Sequence, residues 1–112
     1  MSLYLCVFLD SKDAAGLDMG SYSDFNHFRM KLLHANASNN NSIRLNTLLN
    51  HSDCDGEWTS KQSLSLIKEL REVRSYFIKE ASPSQTEILA SIDSLLELAR
   101  FSVNHNSPIL FQ

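Results

Sequence analysis

Cysteine, proline, glycine and tryptophan are all scarce in this sequence: two, two, three and one among 112 residues. Each shortage closes an option. Two cysteines do not make a disulfide framework in a chain of this length. Cys6 lies in an apolar run and Cys54 among carboxylates, and both are expected as free thiols in a reducing cytoplasm. The few glycines form neither a phosphate-cradling loop nor a dinucleotide fingerprint, and the nucleophile elbow G-x-S-x-G is missing. The histidines, His27, His34, His51 and His105, fall in no H-E-x-x-H and at no zinc spacing with cysteine. They are expected to be solvated or locally hydrogen-bonded, with His27 and His34, seven apart, on one helix face. A His51–Cys54 nucleophile pair is disfavoured, because the surrounding carboxylates raise a thiol's pKa. Cationic excess is missing too. Ten Lys and Arg against thirteen Asp and Glu leave a net charge of −3, which opposes binding to nucleic acid or an anionic membrane. The one long apolar run, residues 3–9, has no basic residue before it and no small-residue cleavage site. It is too short for a secretory signal or a membrane span.

What is present reads as a single α+β domain over residues 1–112. A chain of this size buries roughly 65% of its unfolded surface, enough for a core without staples. Residues 3–9 predict a strand buried on both faces, with Tyr4 and Phe8 in the core. Residues 10–20 read mostly as loop, with a short edge strand at 17–19. Ser21 or Ser23 can cap a helix over 23–35, where Asp24 complements the helix start and Phe25, Phe28 and Leu32 recur at helical spacing. His27, Arg29 and Lys31 fall outside that stripe. The polar run 36–42 reads as a mobile loop. Residues 43–49 alternate and predict a second strand, although Leu45, Leu48 and Leu49 also fit a helix. Strand, helix and strand in that order predict a right-handed parallel crossover, a βαβ-like start.

The second half is more sharply punctuated. Thr59 and Gln62 have capping-box spacing, and Leu66, Leu70, Val73 and Phe77 follow as a stripe widened by Leu64 and Ile67. Ser82, Pro83 and Gln85 place a cap, a first-turn proline and a capping-box glutamine in order. A helix over 83–104 follows, with Ile88, Ile92, Leu95 and Ala99 on one side and Leu89, Leu96 and Val103 beside them. Residues 109–111 are expected as a final edge strand. A small three- to four-stranded sheet with about three helices on one face would bury these stripes, two of the helices being long and C-terminal.

Between the halves lies the string H-S-D-C-D-G-E-W at 51–58. Asp53, Asp55 and Glu57 alternate, so their carboxylates can converge. The calcium-loop pattern is not met, because the glycine comes fourth and the twelfth position is Leu64. A carboxylate-held magnesium is one reading. A structural turn is another, with Gly56 at positive φ and Trp58 packed over the next helix start. A third is a docking surface, where charge steers a basic partner and an aromatic supplies contact area.

Several stretches together are similar to a known family: Leu3, Tyr4 and Leu5; G-S-Y-S-D-F at 20–25 with Phe28 and Arg29; H-S-D-C-D-G-E-W leading into the Leu66 and Leu70 helix; and Pro108, Ile109, Leu110 and Phe111. The set resembles the immunity protein 70 family of bacterial polymorphic toxin systems. The resemblance covers most of the chain, with the 51–58 string its most specific part; residues 10–15 and 36–42 add nothing to it. It implies a cytoplasmic antidote, not an enzyme, that binds the cognate toxin domain made by a neighbouring gene. It carries over no catalytic residue and no cofactor, and it implies neither nucleic acid nor membrane as partner. Under it, Asp53, Asp55, Glu57 and Trp58 become candidates for toxin contact or for fold integrity. Many toxin domains are basic nucleases, which an acidic inhibitor suits. Two other classes stand beside it: a metal-dependent enzyme or regulator using Asp53, Asp55 and Glu57, and a plain structural module that self-associates, for example as a homodimer.

Overall fold

A computed structural model of the protein describes residues 2–38, 45–51, 56–78 and 83–112. In chain order the elements are β1 (Ser2–Leu9), β2 (Lys12–Ser21), α1 (Tyr22–Ser38), α2 (Asn46–Leu49), β3 (Glu57–Trp58), α3 (Ser60–Ile78), α4 (Pro83–His105) and β4 (Ile109–Phe111). The strands form one sheet in the order β2-β1-β4-β3, with every neighbouring pair antiparallel. The α+β class with a four-stranded sheet stands as expected, but several of its parts differ.

Residues 10–20 are not a loop. Leu9 and Lys12 pair across a two-residue turn, and Asp10 and Ser11 both take positive φ, 52° and 65°. That is the backbone of a tight hairpin turn whose twist matches its strands. It launches a ten-residue edge strand. The expected strand over 43–49 is absent among the described residues there, which form the short helix α2. The parallel crossover goes with it: β1 pairs instead with its own hairpin partner and with the last strand. β4 is therefore interior, not an edge. Its backbone is met on both sides, with Phe111 N–H on the Gly56 carbonyl at 3.0 Å and Gln112 N–H on the Tyr4 carbonyl at 2.9 Å.

Helix boundaries follow the caps. At α1, Ser21 Oγ accepts from Asp24 N–H and Asp24 Oδ2 accepts from Ser21 N–H, both at 3.0 Å. These bonds hold the Asp24 carboxyl below its ordinary pKa, the backbone donor being the larger cause. At α3, Thr59 and Gln62 make the expected reciprocal pair at 2.9 and 3.1 Å. Helix α1 continues through residues 36–38, where a loop is expected, and Asn36 is buried. α4 ends in a Schellman motif, with Asn106 left-handed and the Ser107 N–H on the Ser102 carbonyl. The capping box expected at 82–85 and the thiol of Cys54 lie outside the described residues.

All three long helices lie on one side of the sheet. Leu3, Leu5 and Val7 of β1, Ile109 and Phe111 of β4 and Trp58 of β3 meet Phe25, Phe28 and Leu32 of α1, Leu66, Leu70, Val73 and Phe77 of α3, and Ile88, Ile92, Leu95 and Ala99 of α4. Leu64 is exposed and lies off that stripe. α3 and α4 are also joined inside the core. Ser102 Oγ donates to the Ser107 carbonyl at 2.5 Å, so the Ser63 hydroxyl, 2.9 Å away, donates to Ser102 Oγ. The opposite face of the sheet carries no helix among the described residues. β1 is consequently covered by helices on one face only. Tyr4 and Phe8, expected in the core, are 38% and 39% exposed.

Candidate partner-binding site

The acidic stretch is anchored from both ends. Its entrance is α2, a helix of four residues, too short to persist on local hydrogen bonds alone. Two buried charges from other helices hold it. Glu69 of α3, 6% exposed, accepts from the N–H groups of Thr47 and Leu48 at 3.2 Å each, donors that an α-helix leaves free at its start. Arg29 of α1, also 6% exposed, donates from Nη1 to the carbonyls of Leu48 at 3.3 Å and His51 at 2.9 Å. Its Nη2 donates to Asn26 Oδ1, and its guanidinium lies 4.6 Å over the Phe25 ring. Arg29 thus belongs to the interior, although it falls outside the apolar stripe of α1.

The exit is anchored by rings. Trp58 is 1% exposed, and its indole N–H donates to the Thr47 carbonyl at 3.0 Å. Phe111 is the hub. His51 stacks on it with centroids 4.0 Å apart, Trp58 meets it edge-on at 4.8 Å, and Phe25 does so at 6.1 Å. His51 Nε2 lies 2.9 Å from the Glu57 carbonyl. A carbonyl only accepts, so Nε2 carries the proton. Gly56, between the two anchors, has φ +93°, the left-handed conformation expected of it. His51 is thus locally bonded rather than solvated.

Of the four residues singled out by sequence, Asp53 and Asp55 lie outside the described residues. Glu57 is exposed on β3. Trp58 turns inward, so its side chain fixes β3 to the core and offers no surface of its own. Arg29, Glu69 and Phe111, which build the frame, were not singled out as such. The available signal was a charge inside an apolar stripe: Glu69 lies between Leu66 and Leu70, on the buried side of α3. His27 and His34 do share one helix face, lining a groove with Phe77 and Ile88.

Tyr4 and Phe8 were also missed as surface residues. Tyr4 donates its hydroxyl to Asp13 Oδ2 at 2.8 Å, which holds the phenol above its ordinary pKa. Beneath the ring is Gly16, where an added Cβ would stand 1.7 Å from the Tyr4 hydroxyl oxygen. The ring therefore lies flat on the sheet because the position below it has no side chain.

The sequence model of the family described as Immunity protein 70 matches residues 3–103 of the chain. No curated protein matches it, and no solved structure does.

Proposed function

Because the chain belongs to the immunity protein 70 family, we propose that it is a stoichiometric antidote that binds the cognate toxin domain and blocks it without chemistry of its own. The match over residues 3–103 carries this reading. The geometry supports it in kind. The two anchors flanking the acidic stretch are buried and hydrogen-bonded, so Glu57 projects from a packed frame, which suits a preorganised contact. Asp53, Asp55 and Glu57 supply the charge that meets the toxin, and Trp58 keeps the stretch in place. No helix among the described residues is long and apolar enough to cross a membrane, and the antidote acts in the cytoplasm of the cell that makes the toxin.

Co-expression with the product of the adjacent toxin gene tests this directly. The expected result is a 1:1 complex that survives gel filtration, and growth of cells that die when the toxin is expressed alone. Charge reversal at Asp53 and Asp55 slows association, since charge at an interface rim acts mainly on encounter rate. Co-purification no better than that of unrelated pairs, with no protection of growth, removes the antidote reading.

A further inference from the structure

The helix-free side of the sheet sets exposed aromatic rings beside carboxylates. Glu57, Leu110, Cys6 and Gly16 form one row across all four strands, a width of about 14 Å at ordinary strand spacing. Tyr4 and Phe8 stand above and below Cys6 on the same side of β1. Opposite them on β2 are Asp18 and Asp13. Two large aromatics, each more than a third exposed, thus share one face with carboxylates at Asp13, Asp18 and Glu57. No lysine or arginine stands among the described residues of that face; Lys12, paired with Leu9, alternates to the other side.

We propose that this open face, centred on Tyr4 and Phe8, receives a cationic surface of the toxin domain. The proposal rests on the antidote reading and names the surface that carries it out. Aromatic rings offer large contact area for little lost side-chain freedom, and Tyr4 is already laid flat by Gly16 and tied by Asp13. Lysine or arginine side chains stack on such rings and pair with the flanking carboxylates. The charge distribution also selects against other occupants. In a two-fold dimer the same patch meets itself, which would set carboxylates against carboxylates. Nucleic acid and anionic lipid are repelled for the same reason.

The test measures binding of the adjacent gene's toxin product to the full-length chain by calorimetry, for wild type, Phe8→Lys, Glu57→Lys and Phe8→Ser, with Glu97→Lys on α4 as an off-face control. Circular dichroism and thermal melts establish that each variant is folded. Phe8→Lys and Glu57→Lys should weaken binding at least tenfold and Phe8→Ser about threefold or more, with Glu97→Lys within twofold of wild type. Wild-type affinity should fall several-fold between 50 and 500 mM salt. Wild-type binding that none of the face variants alters overturns this surface and leaves the antidote reading intact. A toxin that wild type does not bind overturns both. Affinity indifferent to salt, or loss of a homodimer in place of loss of toxin binding, overturns the choice of a cationic occupant.

Discussion

Asp10 and Ser11 join β1 to β2 with both backbones in the left-handed region, where an L-residue with a Cβ is disfavoured by about 1–2 kcal/mol. Aspartate suits the first position of such a turn, and Asp10 stands there, but the second prefers glycine, and Ser11 stands there instead. This is why the hairpin was illegible: without a glycine after Asp10, the run Asp10, Ser11, Lys12 and Asp13 reads as polar loop. Caps were legible by contrast, because Thr59 with Gln62, and Ser21 with Asp24, need only a spacing of three. The turn's strain yields a prediction. Ser11→Gly should relieve it, less the extra entropy glycine carries in the unfolded chain, for a net gain of about 0.5–1 kcal/mol. A thermal melt should then shift upward by roughly 2–6 °C. A lower melting temperature would mean that the Ser11 side chain contributes more than the turn loses.

At the scale of elements, α2 shows why local pattern failed over 43–49. Leu45, Leu48 and Leu49 satisfy helical spacing and alternation equally well, and what decides between them lies elsewhere in the chain. Glu69 supplies acceptors at the start of α2, and Arg29 supplies donors at its end. The long helices needed no such help, since α3 and α4 carry stripes that one period explains. Removing the acceptor tests the argument. Glu69→Leu keeps the side chain apolar and leaves the Thr47 and Leu48 N–H groups without their partner, at a cost of about 2–4 kcal/mol. Glu69→Gln retains one oxygen and should cost roughly half as much. Urea denaturation reads both. The order Leu worse than Gln worse than wild type is the expected outcome, and equal stability of all three would show that α2 does not depend on Glu69. Because Trp58 bonds the Thr47 carbonyl, its fluorescence should report the loosening of α2 in Glu69→Leu before global unfolding.

For the molecule as a whole, strand order was the part least open to reading. Residues 109–111 are visibly apolar, but nothing local says that β4 slips between β1 and β3 instead of closing an edge. The acidic stretch was legible as a feature, but not the division of its last two residues: Glu57 stays outside, and Trp58 serves the core. One consequence of the whole arrangement bears on Cys6, which is fully buried and free although it belongs to the face without helices. Leu110 flanks it on β4 and Gly16 on β2, with the Tyr4 ring lying over Gly16 beside it. Burial first, and the charge of Asp13 second, push its thiol pKa up. The reactive thiolate is therefore scarce at neutral pH, and reactivity should rise only above the pH at which an ordinary thiol titrates. In a Cys54→Ser background, Ellman's reagent should modify Cys6 no faster than the molecule opens. Adding Tyr4→Ala should speed modification at least tenfold, and more than any change in urea midpoint explains. If the rate instead tracks global stability alone, Cys6 is sealed by the fold at large, and Tyr4 is not its lid.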